Sequence, residues 1–298
     1  MATVKLSVVV AASNNTQALE RCLESLKGQG EAEDTEIIVV SNYRERVQER
    51  IERRFPYVKY VSLPEDTTVP ELRTTGIFHS RGEIVALIED HCLLDENWCS
   101  EIKKAHELPY PIIGGSVENA SCERWLDWAV YFYEYGKYMP PNQAGLVDCL
   151  PGNNVTYKRP VLEKVETIFQ KGFFETFIHW ELKTQGYPLY MIPSAIVYHK
   201  KQYKIKGALT QCYHSGRSFG GMRTSKAMLL KRIGLILGSW MLPILLPSRI
   251  VFRTVRKKRH IRELVLSLPY LLLLMASWSY GEFCGYACGE GDSSTRWR

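Results

Sequence analysis

Glu89-Asp90-His91 closes an apolar run, and no other tripeptide in this chain combines two carboxylates with an imidazole in the same way. Oxygen and imidazole donors side by side can bind a divalent metal ion. At the end of a strand they would stand on the edge where open α/β sheets bind ligands. A metal-bridged diphosphate suits that place, because the cation offsets charge building on a leaving phosphate. The same three residues also suit an ordinary polar turn. His199 follows a later apolar stretch and could complete a metal shell, contact phosphate or serve structurally. A helix expected over 174–185 puts Glu175 and His179 on one face and Glu181 on another. His179, beside Trp180, also fits a hydrogen-bonded structural histidine, and Glu181 a solvated helix carboxylate. The cations Lys200, Lys201, Lys204, Lys206, His214, Arg217 and Arg223 suit a diphosphate or a lipid phosphate. They lack the interleaved aromatic platform of a nucleic-acid binder, so no nucleic-acid partner is expected.

Positioning those groups requires a sheet. Leu6 to Val10, Glu36 to Val40, Val58 to Leu63 and Ile84 to Ile88 read as strands. After the turn at Ser13-Asn14-Asn15, Leu19, Cys22, Leu23 and Leu26 recur at helical spacing, and that helix ends near Gly28 and Gly30. Further helices are expected over 45–54 and 71–80. This alternation predicts an open α/β sheet with right-handed crossovers. From Gly114 to Arg159 the periodicity loosens around Trp125, Trp128, Tyr131, Phe132, Tyr133, Tyr135 and Tyr138. These aromatics suit a wall of an acceptor site, or core and membrane-interface packing. Val155 to Tyr157, Leu189 to Ile192 and Ala195 to Tyr198 are the later strand-like pieces.

With 45% apolar and 23% charged residues, the chain is globular rather than disordered or fibrous. Its 298 residues suffice for one large domain or two small ones. Eight cysteines show no framework spacing, so reduced thiols in a cytosolic compartment are expected. Asn14, Asn119 and Asn154 open N-x-S/T triplets that would matter only in a secreted protein, and no signal peptide is read at Met1 to Ser7.

Two apolar stretches close the chain, Ile233 to Leu246 and Leu264 to Tyr280, and a spanning helix needs ~20 such residues. The segment between them carries Arg253, Arg256, Lys257, Lys258, Arg259 and Arg262, and positive linkers stay cytosolic. Two full spans would then place the N-terminal region outside. A shallow re-entrant or interfacial pair resolves that conflict; two spans and a soluble helical subdomain are the other arrangements.

The motifs, in their order, resemble a family 2 glycosyltransferase with the GT-A fold, over about residues 4–220. Leu6 to Asn15 resembles the family's opening strand and turn, and Glu36 to Asn42 its second strand. Leu72-Arg73-Thr74-Thr75-Gly76 is similar to the A-R-N-x-G segment, and Glu83 to His91 stands where the family has its strand and DxD motif. Gly114-Gly115, Gly152-Asn153-Asn154, the helix ending at Gly186-Tyr187, and Val197-Tyr198-His199 follow in the family's order. The resemblance implies that Glu89 contacts the donor ribose or the metal. It implies that His91 ligates Mg²⁺ or Mn²⁺ with Asp90 in support, that Arg73 lies near the donor diphosphate or base, and that Ser13 and Ser41 line the nucleotide pocket. The base of an inverting transfer would come from the segment around Glu175, with Glu181 and His179 behind it. Ser41-Asn42 departs from the family's aspartates, His91 replaces an Asp, and the usual E-D pair is absent.

The expected architecture is therefore a GT-A domain, a Rossmann-like mixed sheet flanked by helices, over 1–220, and a membrane-associated helical region over 221–298. The expected activity is metal-dependent transfer from a nucleoside diphosphate sugar to a lipid-linked or glycan acceptor. The enzyme would be held by membrane lipids at the cytosolic side of the cell membrane. A non-catalytic membrane-bound scaffold that binds sugar nucleotides is the alternative; a nucleotidyltransferase would need an early phosphate-gripping motif that the chain lacks.

Overall fold

The computed structural model describes residues 4–13, 15–29, 33–43, 47–170, 172–225 and 227–296. Asn14, Gly30 and Glu45, read above as a turn, a helix end and a helix start, lie outside them. In chain order the elements are β1 (Leu6–Ala12), α1 (Thr16–Leu26), β2 (Thr35–Ser41), α2 (Val47–Arg54), β3 (Val58–Ser62), α3 (Val69–His79), β4 (Ile84–Glu89), β5 (Cys92–Leu94) and α4 (Trp98–Ala105). Then come β6 (Ile112–Asn119), α5 (Trp125–Glu134), β7 (Gly145–Val147), β8 (Val155–Lys158), α6 (Arg159–Lys164), α7 (Glu166–Phe169), α8 (Glu175–Thr184) and β9 (Leu189–His199). The chain closes with α9 (Ile205–Thr224), α10 (Leu229–Gly238), α11 (Leu242–Lys257) and α12 (Ile261–Cys288). Two compact units result, Met1–Glu118 with Tyr138–Lys200, and Asn119–Lys137 with Lys201–Trp297. The units therefore part at residue 200, and the aromatic segment of α5 falls in the second.

The first unit is a mixed sheet in the order β3-β2-β1-β4-β8-β6-β9-β5, with β7 on β9. β3, β2, β1 and β4 run parallel, and the Val- and Ile-rich stretches of β2, β1 and β4 are buried, as strands covered on both faces must be. The Asn15 side chain caps α1 by accepting from the Ala18 N–H at 2.8 Å. At the start of α3, Glu71 accepts from both the N–H and the hydroxyl of Thr68 at 2.7 Å, and Pro70 sits in the first turn. β8 runs antiparallel to β4, so Gly152-Asn153-Asn154 enter the sheet at the edge where β4 leaves it.

Two expectations need correction. The loosened stretch at Gly114 contains the eight-residue strand β6, hidden by two glycines of low strand propensity. Gly115 is needed there because a Cβ would overlap the Ala195 carbonyl. The two strand-like pieces near Pro193 are one strand, β9. The Asn154 side chain joins these strands, donating to Ser116 O at 2.8 Å and Ala195 O at 2.9 Å while accepting from Trp98 Nε1 at 3.0 Å.

The second unit is helical. α9, which the glycine-rich sequence concealed, packs on α12 through Gly216 and Gly220 against Gly281 and Gly285. A Cβ at any of the four would strike backbone of the opposite helix, so the close approach excludes larger residues. Arg217 donates to Gly289 O at 3.3 Å and Arg223 to the Tyr286 hydroxyl at 2.9 Å, so both take part in the helix packing. Trp128, Tyr131 and Phe132 of α5 are buried among rings of their own unit. These three therefore take part in core packing. The basic stretch at Arg253 to Lys257 is the end of α11, and the turn into α12 is the three residues 258–260, of which Lys258 and His260 are left-handed with φ of 53° and 55°. All eight cysteines are free thiols.

His106, buried with Nε2 2.7 Å from the Thr156 hydroxyl, has its pKa pushed down to about 3 by burial, with a smaller contribution from Lys158. The unfolded chain takes up this proton near pH 6.5. Stability is thus complete above that pH and declines as pH falls toward 3. His106→Gln is expected to lower the proton uptake on unfolding at pH 5 by about one, read from the pH dependence of the unfolding free energy. An unchanged uptake would contradict this assignment.

Candidate active site

The parallel strands end together, with Ala12 opposite Ser41 and Ala11 opposite Glu89. This edge collects nearly every candidate residue. Asp90 follows β4 and is fully buried. Its carboxylate accepts from the Ser13 N–H at 2.9 Å and from the Tyr43 hydroxyl, and His91 Nδ1 lies 3.2 Å away. Asp90 therefore fastens the ends of β1 and β2 and orients the His91 ring, instead of standing open to a ligand. On the other side of that ring, Nε2 lies 3.1 Å from Glu89 Oε2.

β5 pairs antiparallel with β9, setting Cys92 opposite His199. The His199 ring meets the His91 ring edge-on, with centroids 4.7 Å apart. Glu89, His91 and His199 thus stand in a row. Among the described residues, no three His, Cys, Asp or Glu side chains surround a common point as a finished metal cage would. In kind the row fits a divalent cation, since two imidazoles and a carboxylate are suitable donors. Their present contacts would have to open to admit it.

Arg73, on α3, is buried between two carboxylates. Its Nη2 lies 2.5 Å from Glu89 Oε1 and its Nη1 2.7 Å from Glu175 Oε2. Glu175 begins α8, where the segment before it is stitched to α3: Phe173 N–H donates to Pro70 O at 2.9 Å and Thr74 Oγ1 to Phe169 O at 2.9 Å. The carboxylate of Glu175 rests over Gly152, where a Cβ would come within 2.6 Å of its Cδ.

The remaining candidates lie differently. His179 is buried and bonded to the Tyr157 hydroxyl at 2.7 Å, and burial, aided by Arg73, holds its pKa down at about 3. An imidazole so placed is a poor proton acceptor near neutral pH. Glu181 is on the solvated side of α8, accepting from Gln185 Nε2 at 2.9 Å. Ser41 is buried at the end of β2 with its hydroxyl bonded to that of Tyr60. Ser13 contributes its backbone amide. Sequence reasoning missed Tyr43, Tyr60 and the seat formed by Gly152. Nothing in the spacing of the two tyrosines points to this edge; Gly152 was within reach, as a glycine just ahead of a strand.

A family model for "Glycosyl transferase family 2" matches residues 7–166, more than half of the chain and including β1 through β8. The chain belongs to glycosyl transferase family 2. It is a glycosyltransferase of GT-A-like fold. Among solved structures it is similar to a mannosyltransferase, PcManGT from Pyrobaculum calidifontis in complex with GDP-Man and Mn2+, with 13% identity and a TM-score of 0.57. That match covers 93% of this chain and 86% of that one. S. aureus TarS 1-349 matches with 12% identity and a TM-score of 0.51, over 94% of this chain and 90% of that one. GalNAc-T7 with UDP, GalNAc and Mn2+ matches with 12% identity and a TM-score of 0.50, over 67% of this chain and 44% of that one. At these identities the likeness concerns the fold. No curated protein sequence matches the chain.

If Gly152 seats Glu175, then Gly152→Ala must displace the carboxylate. The expected outcome is a loss of transfer rate of about 10- to 100-fold with a folded protein by circular dichroism, since small misplacements of a reacting group are costly. A full rate in this variant would remove Glu175 from the reaction.

Proposed function

We propose that the chain transfers a sugar, with inversion, from a nucleoside diphosphate sugar to a lipid-linked or glycan acceptor at the cytosolic face of a membrane. The observation that carries this reading is the bridge Glu89–Arg73–Glu175. It sets the strand edge where a sheet of this kind binds ligands beside the carboxylate at the start of α8. The neighbours' complexes with GDP-Man, UDP and Mn2+ support a nucleotide-sugar donor and a divalent ion.

In this mechanism Glu175 accepts the proton of the acceptor hydroxyl as its oxygen attacks the anomeric carbon, opposite the departing nucleoside diphosphate. Arg73 offers its charged fork to the diphosphate. Glu89, His91 and His199 would hold Mg²⁺ or Mn²⁺, the imidazoles tilting the choice toward Mn²⁺. Held by these residues, such an ion would supply positive charge to offset that on the leaving diphosphate. Asp90 keeps His91 in orientation, and the Ser13 and Ser41 positions shape the edge that would take the nucleoside.

We assign transfer to residues 1–220 and membrane association to 221–298. Two helical stretches, Leu229–Lys257 and Ile261–Cys288, are long and apolar enough to cross a membrane. No residue of α10 is buried, and Leu230, Leu237, Trp240 and Phe252 are exposed, with Leu230 83% accessible. Apolar surface of this extent is stable in lipid rather than water. Arg249, Arg253 and Arg256 on α11 add attraction to anionic headgroups.

The test is turnover of a panel of nucleotide sugars by the detergent-purified chain with Mn²⁺ or Mg²⁺. Activity is expected to vanish with EDTA and to fall at least ~100-fold in Glu175→Gln. Activity unaffected by EDTA would remove the metal, and undiminished activity in Glu175→Gln would remove the base. For the anchor, Leu237→Glu with Trp240→Glu is expected to weaken flotation with anionic vesicles; flotation equal to that of the unaltered chain after a high-salt wash would contradict the attachment.

A further inference from the structure

The two terminal nitrogens of Arg73 are each committed to a carboxylate, Nη2 to Glu89 and Nη1 to Glu175. The guanidinium side chain is only 6% exposed, whereas Glu89 and Glu175 are 18% and 23% exposed. The arginine is thus the fixed member and the carboxylates are the ones with room to move. A Glu175 oxygen that accepts from Arg73 is turned toward the arginine rather than toward an acceptor hydroxyl. A diphosphate is a stronger partner for a guanidinium fork than a single carboxylate, because it brings more charge and matches the fork's bidentate geometry. It would also repel a Glu175 carboxylate left beside it.

We infer that Arg73 is a latch on the base: without donor it holds Glu175, and the donor's diphosphate takes its place on Nη1 and releases Glu175 toward the acceptor. The inference rests on the proposed nucleotide-sugar reading. It makes Arg73 a positioning residue that couples donor occupancy to the readiness of Glu175, so that the base is presented only when a sugar is there to transfer.

Competition between Glu175 and diphosphate has a consequence that a purely structural ion pair would not have. Removing the Glu175 charge should tighten nucleotide binding, and only while Arg73 is present. The test is calorimetric titration of the detergent-purified full chain with UDP and with GDP, each with Mn²⁺. Glu175→Gln and Glu175→Ala are both expected to bind the preferred nucleotide about 3- to 10-fold more tightly than the unaltered chain, the size of a typical coupling between contacting groups. In an Arg73→Gln background the same substitutions should change affinity by less than about twofold. Glu181→Gln, on the solvent-facing side of the same helix and bonded to Gln185, should leave affinity unchanged. Unchanged or weaker binding in both Glu175 variants would overturn the latch. So would tightening that persists without Arg73, which would be a general charge effect. If the unaltered chain binds neither nucleotide, the functional reading fails and the latch fails with it.

Discussion

The Arg73 guanidinium, taken out of water on α3, joins a strand end to a helix start across 102 residues of sequence to Glu175. A buried cation is costly unless its partners are well placed, and losing one partner of such a pair commonly costs about 3–5 kcal/mol. Much of the surrounding structure can be understood as meeting that condition. The Thr68–Glu71 pair starts α3 in the right place. Gly76 lets the helix lie directly on β1, where a Cβ would overlap Val9. Thr74 and Pro70 hold the segment ahead of α8, so that Glu175 and Arg73 keep a common frame.

A second set of contacts fixes the opposite side of the edge. Asp90, buried and accepting from Ser13 and Tyr43, links the ends of β1 and β2 to the His91 ring. The short pairing of β5 with β9 brings His199 to that ring from a strand more than a hundred residues later. The outcome is a polar row closed on itself by hydrogen bonds and ion pairs. Such a row satisfies its polar groups among its own residues.

Much of this was legible in the sequence, for physical reasons that differ by element. The parallel strands announce themselves because burial on both faces demands continuous apolar runs such as Val8-Val9-Val10 and Ile37-Ile38-Val39-Val40. Glu89, Asp90 and His91 were visible because polar residues abruptly end such a run. β6 and α9 were hidden because their glycines serve close backbone approach, at Gly115 to Ala195 and at Gly216 and Gly220 to α12, against local propensity. The roles of Glu175, His179 and Glu181 could not be separated by spacing alone. Less than two turns of α8 place them in three different environments, an ion pair, a buried hydrogen bond and a half-buried, solvent-facing side. Tyr43 and Tyr60 carry no local signal at all, since their partners come from other strands.

The most direct measurement is a structure of the chain with UDP or GDP and Mn²⁺ bound. The account predicts the diphosphate beside Arg73 at the C-terminal edge of β1 and β4, the cation held among Glu89, His91 and His199, and Glu175 turned away from the guanidinium. A nucleotide bound elsewhere, or one bound at this edge with Glu175 still paired to Arg73, would contradict it.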